Sequence, residues 1–187
     1  MCYFITAILP QSAKVNLVAP LFEAHNLSFK EITNPHVSSQ LDVGDIYILT
    51  TSSHCDCGTA LGILNRSGDS ESVSYDREAK KLRKQGWSEA RIQRWLEQKE
   101  QTKEKHLQEN EAHAKTGTPD AAHWVAFITT VLKSGNTRKI GLLLHMYHGG
   151  TESERIKILG KESIKLKELS PGRLREMKED VAYEFVV

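Results

Sequence analysis

The apolar and polar positions divide the chain into a handful of short core elements and one long polar interruption. Residues 2–9 are rich in aromatic and β-branched side chains and stop at Pro10, a pattern that predicts a buried strand. Asn16 then reads as a helix cap, with Leu17, Val18, Leu21 and Phe22 on one face, Pro20 in the first turn and Asn26 as the stop. Leu27 to Ile32 predicts a second strand, closed by the turn pair Asn34-Pro35. Asp45 to Thr51 (DIYILTT) predicts a third, introduced by turn residues 42–44.

Clear core periodicity returns only at Thr118-Pro119-Asp120, which reads as a cap, a proline at the first helical position and an early acid. Trp124, Phe127, Ile128 and Val131 follow at i, i+3, i+4 and i+7, with Gly135 as the stop. Ile140 to Tyr147 (IGLLLHMY) is apolar on both faces at most positions, so it predicts a central strand. Beyond it, residues 154–187 offer two short strand-like stretches, a helical stretch from Pro171 to Glu179, and a closing strand (VAYEFVV) expected to extend the sheet at an edge.

The order β-α-β-β, a long interruption, then α-β is that of the split βαβ, ferredoxin-like plan, with helices on one face of an antiparallel sheet and extension strands at its C-terminal end. The fold class predicted is therefore α+β. Residues 1–65 and 117–187 form one core domain in this reading, and residues 66–116 are a charged helical-hairpin insertion. Residues 66–74 have no apolar periodicity, while the stretch from Tyr75 to Lys115 is helical in composition, with a break at Gly86-Trp87-Ser88 where Ser88 and Glu89 predict a new helix start. Leu82, Trp87, Ile92, Trp95 and Leu96 supply its only substantial apolar face, which suits a projecting arm better than a core helix.

Composition changes this picture little. Twenty-five basic and twenty-four acidic residues leave a formal charge of +1, so no global field selects nucleic acid or membrane as partner. No apolar run approaches the roughly 20 residues that span a bilayer, and the apolar N-terminus lacks the basic region of a signal peptide. Three cysteines, two of them one residue apart, do not make a secreted disulfide framework, so the cytoplasm is the expected compartment.

Candidate chemistry centres on Ser53-His54-Cys55-Asp56-Cys57-Gly58, directly after the third predicted strand. His54, Cys55, Cys57 and His148 are candidate metal ligands, since thiolate and imidazole are the donors zinc takes. One residue between the cysteines is tighter than a zinc knuckle, and Cys2, His145 or His148 would have to be recruited from other strands. The alternative is a pair of small turn residues with buried thiols and no cofactor. A nucleophilic reading uses Cys55 or Cys57 as thiolate and His54 or His145 as base. Cys2 offers another, as an N-terminal nucleophile once Met1 is removed, against the simpler reading of a strand residue. His145, among apolar neighbours, also reads as a hydrogen-bonded core histidine. No P-loop, dinucleotide fingerprint, His-Glu-x-x-His or Gly-x-Ser-x-Gly motif occurs.

Between Asp76 and Lys115 there are eleven basic and eight acidic residues, and the basic ones concentrate in the first half around two tryptophans. Trp87, Trp95, Lys80, Lys84, Arg91 and Arg94 are therefore candidate partner-binding residues, for another protein or, by phosphate contact and stacking, for nucleic acid. A solvated helix surface whose tryptophans pack the hairpin is the plainer reading. The sequence alone favours a non-catalytic protein that docks onto another protein, as an inhibitor of immunity or antitoxin type does. The alternative is a thiol- or metal-dependent enzyme centred on His54-Cys55-Asp56-Cys57.

Overall fold

The structure is a computed structural model that describes residues 2–57, 59–63, 79–98, 101 and 120–187. In chain order the described elements are β1 (Cys2–Leu9), α1 (Val15–Ala24), β2 (Lys30–Glu31), α2 (Pro35–Ser38), β3 (Ile46–Leu49) and α3 (Ala60–Ile63). Two helical stretches follow, α4 (79–84) and α5 (89–98). The remainder is α6 (Ala121–Lys133), β4 (Lys139–Tyr147), β5 (Gly160–Lys165), α7 (Pro171–Arg175) and β6 (Val181–Val186).

The fold is mixed α+β around one six-stranded sheet, in the order β2-β3-β1-β4-β6-β5. β1 lies between β3 and β4 and is antiparallel to both, with Thr6 opposite Leu49 on one side and Leu143 on the other. The segments before and after the long interruption thus belong to a single sheet. β5 runs parallel to β6, so the sheet is mixed rather than antiparallel as the sequence suggested. β6 also sits inside the sheet, between β4 and β5, and not at its edge. Its burial explains the placement: Ala182 faces one side of the sheet while Tyr183 and Phe185 face the other, all buried, whereas β5 buries only Ile164.

Strand alternation sends Tyr3, Ile5, Ala7 and Leu9 of β1 to the main core, with Ile140, Leu142 and Leu144 of β4. Val18 and Phe22 of α1, Trp124, Phe127, Ile128 and Val131 of α6, and Leu174 of α7 cover this face. The opposite face carries Ile8, Tyr47, Leu143 and Tyr147, covered by Val37 of α2 and by Ile32 and Ile156 from loops. Asn34 clamps that cover: fully buried, it caps α2 through Oδ1 and donates to the carbonyls of Thr151 and Glu154 at 3.0 and 2.9 Å.

Several local boundaries differ from the sequence pattern. α1 begins at Val15, so Asn16 is inside the helix, and Pro20 lies in mid-helix, where its missing N–H removes the i+4 donor to the Asn16 carbonyl. Asn26 does end that helix, with φ of 53°. The second strand shrinks to two residues, though Ser28 and Ile32 still donate to the carbonyls of Thr50 and Tyr47 on either side of it. Asp120 is the cap of α6 itself, accepting from the His123 amide at 2.7 Å, while Thr118 and Pro119 lie outside the described residues.

Of the predicted insertion, residues 66–78, 99–100 and 102–116 lie outside the described residues. Within it α4 and α5 meet at Gly86, whose φ is 81°, and the Ser88 carbonyl accepts the first amides of α5 from Arg91 and Ile92. Ile92 and Ala79 are buried, and a salt bridge of 2.7 Å joins Arg83 to Glu89 across the turn.

Candidate functional site

The site starts from a problem in the β1 ladder. After Thr50 the chain leaves β1, so the Tyr3 and Ile5 amides on that side lose their strand partner. The following loop replaces it. The Asp56 amide donates to the Tyr3 carbonyl at 2.8 Å, the Ile5 amide donates to Asp56 Oδ2 at 2.7 Å, and the Tyr3 amide donates to Cys57 Sγ at 3.2 Å. The Thr51 hydroxyl donates to the same Asp56 oxygen. Asp56 is 5 % exposed, and this burial pushes its carboxyl up to about 6 against the pull of its two hydrogen bonds.

The far side of the loop is tied to α3. The Thr59 amide and hydroxyl both donate to the Asp56 carbonyl at 2.9 Å, and the Gly62 amide donates to Thr59 Oγ1 at 3.1 Å. A side chain at Gly62 would place its Cβ 2.0 Å from the Asp56 oxygen. Glycine is required there because helix and loop backbones approach too closely for any Cβ.

With Asp56 turned inward as the anchor, the cysteines on either side of it come together. The thiols of Cys55 and Cys57 converge with that of Cys2 at the start of β1, all three sulfur atoms within 4.8 Å of one another. All three are free and half-buried. Burial, reinforced by the two neighbouring thiols, pushes the Cys55 thiol up to about 12, the opposite of what an activated nucleophile requires. A metal ion would reverse that, because thiolate ligands to a bound cation are deprotonated outright. Zinc–sulfur bonds of roughly 2.3 Å place the sulfurs of a tetrahedral site about 3.8 Å apart. The three sulfurs, all within 4.8 Å of one another, lie close to that spacing, so the donors fit a thiophilic metal.

The histidines named from the sequence are elsewhere or uncommitted. Among the described residues the thiol group contains no histidine. His54 is exposed on the same loop, and Ser53 beside it only bonds its hydroxyl to the Cys55 carbonyl at 3.0 Å. His145 belongs to a separate group with Glu179 and Asp180. Its Nδ1 is 2.6 Å from Asp180 Oδ1 and its ring meets Tyr147 edge-on at 4.7 Å, while its buried Nε2 has no hydrogen-bond partner among the described residues. Next to it, the Tyr147 hydroxyl bonds to Tyr47 (2.9 Å), Tyr47 to Thr6 (3.0 Å) and Thr6 to the Leu143 carbonyl (3.1 Å). Three hydroxyl protons satisfy that chain, and burial pushes both tyrosines upward, so they stay protonated. His148 is exposed, and the turn amides of His148 and Gly149 are taken by the Glu154 carboxylate.

On the arm, Lys80, Lys84, Arg91 and Arg94 are exposed and Trp87 and Trp95 half-buried. The Arg91 guanidinium lies 3.8 Å above the Trp87 ring. An open groove of about 680 Å³ is lined by Thr129, Lys133, Lys165, Leu166, Lys167 and Val187, none of them a sequence candidate.

Sequence reasoning recognised the pair Cys55 and Cys57 and named Cys2 as one of three residues that could complete it. It missed Asp56 as the anchor, Thr51 as its partner and Gly62 as the spacer. The available signal was the acid lying between two cysteines directly after a strand; in the structure the chain bends at Asp56, whose carboxylate fills the ladder gap.

No protein-family model, no curated protein and no solved structure matches the chain. Among the described residues, no helix is long and apolar enough to cross a membrane.

Proposed function

We propose that the protein works through a three-thiol centre, Cys2, Cys55 and Cys57, that binds a thiophilic metal ion, with zinc as the leading candidate. The observation that carries this reading is the convergence of three free sulfurs, from strand β1 and from the loop after β3, within 4.8 Å. Soft thiolate sets select zinc or monovalent copper over hard cations. The Tyr3 amide aimed at Cys57 Sγ would stabilise the thiolate, as outer hydrogen bonds do in metal sites. Half-buried thiols without disulfides suit a reducing compartment such as the cytoplasm. Elemental analysis of the purified, reduced chain after zinc loading and desalting should give one metal per chain. Cys2→Ser, Cys55→Ser and Cys57→Ser should each lose most of it. Metal well below one equivalent in the parent chain, or equal retention by all three variants, defeats the reading.

The core around this centre is, in our reading, a ferredoxin-like unit. Its support is the order β2-β3-β1-β4 with antiparallel neighbours throughout, and helices α1 and α6 packed on one face. β6 and β5 then extend that unit beyond β4.

A second reading, docking onto a partner protein in the manner of an immunity or antitoxin inhibitor, rests on the arm. There the Arg91–Trp87 stack and the Arg83–Glu89 bridge hold a basic, tryptophan-bearing hairpin. Reversal of Lys80, Lys84, Arg91 and Arg94 to glutamate should abolish co-purification of a native partner if the arm is the contact. Co-purified RNA lost by the same change would move the reading to nucleic acid.

A further inference from the structure

Resting on the three-thiol reading, we infer that a divalent metal in this centre keeps one coordination position that the described residues do not fill, and that this position takes a neutral ligand from solution: water at rest, and imidazole-class nitrogen donors when offered. Tetrahedral zinc with four protein donors is a closed structural site, whereas three protein donors leave a position for an exogenous ligand. Three donors are what the described residues provide.

The remaining ligand-type groups nearby are already engaged. Asp56 is turned into the ladder, bonded to the Ile5 amide and the Thr51 hydroxyl. Glu179 accepts the Met146 amide at 2.9 Å and the Tyr3 hydroxyl at 3.4 Å, and Asp180 holds His145 at 2.6 Å. His54 is exposed and stands outside the sulfur group. Solvent reaches the centre, since each cysteine is only half-buried and Ser52, Ser53 and His54 beside them are exposed.

Charge then decides what the open position accepts. Three thiolates around a divalent cation leave one net negative charge. An anionic fourth ligand would double the uncompensated charge in a partly desolvated place, which is costly, while a neutral donor leaves it unchanged.

The test uses the full chain, reduced and loaded with cobalt(II) as a coloured substitute for zinc. The d–d absorption of the cobalt reports its coordination. Titration with imidazole should shift these bands saturably, azide should need at least about tenfold more ligand for the same shift, and His54→Ala should leave both the spectrum and the cobalt affinity unchanged. Bands that imidazole leaves in place overturn the inference, as does at least about a tenfold loss of cobalt affinity in His54→Ala, which would mean that His54 closes the site. In either case uptake of cobalt keeps the three-thiol reading standing. Absence of cobalt uptake, with no thiolate-to-cobalt charge-transfer band, removes that reading itself.

Discussion

Asp56 shows how one side chain can hold a site together without belonging to it. Its carboxyl closes a gap in the β1 ladder, and burial raises it to about 6 from an ordinary 3.8. Between those values the folded chain holds a proton that the unfolded chain has lost. Stability contributed by this group is therefore fully present below about pH 4, falls as pH rises toward 6 and is flat above. The difference amounts to roughly 3 kcal/mol. Denaturant unfolding of the parent chain and of Asp56→Asn across pH 4–7 should show the parent gaining on the variant by up to that amount as pH falls. A gap that stays constant across the window would mean that Asp56 is not held protonated. His145 makes the complementary case. It was a candidate base, yet the structure gives it Asp180 and Tyr147 as neighbours and leaves it out of the thiol group. His145→Ala should cost about 1–3 kcal/mol through lost packing and an unpaired Asp180. Its zinc content should match the parent. A drop in metal at unchanged stability would return His145 to the site.

At the scale of elements, the loop between β3 and α3 is a substitute strand, and Gly62 sets how closely α3 can approach it. Gly62→Ala must push helix and loop apart, because its Cβ would lie 2.0 Å from the Asp56 carbonyl. Destabilisation of at least about 2 kcal/mol is expected, together with loss of metal, since the Asp56 anchor and both loop cysteines move together. A stable variant with full metal content would show that the loop can reseat. Elements with strong local patterns were legible from the sequence. α6 follows from its i, i+3, i+4, i+7 spacing, and β4 from being apolar on both faces. The parallel pairing of β5 with β6 was not legible, because it is a property of which strand ends up between which others. The convergence of Cys2 with Cys55 and Cys57 was hidden for the same reason. It depends on the register that puts the Asp56 amide on the Tyr3 carbonyl, fifty-three positions apart in the chain. Spacing by one residue, which argued against a zinc knuckle, is what lets both thiols face Cys2 while Asp56 turns away.

For the molecule as a whole, β1 is the organising strand. It joins β3, made before the interruption, to β4, made after it, and its first residues carry the thiol centre. Among the described residues, both ladders are made by segments outside the range 66–116. Replacing that segment with a short Gly/Ser linker should leave a cooperatively folding core that still takes up one zinc, as far-UV circular dichroism and elemental analysis would show. An unfolded product would make the segment part of the core and not an insertion. Metal binding here requires the three sulfurs to meet at one ion. X-ray absorption at the zinc edge of the loaded, reduced chain tests this most directly. Three sulfur neighbours at roughly 2.3 Å and one lighter oxygen or nitrogen neighbour are predicted, whereas a shell of oxygen and nitrogen alone would contradict it.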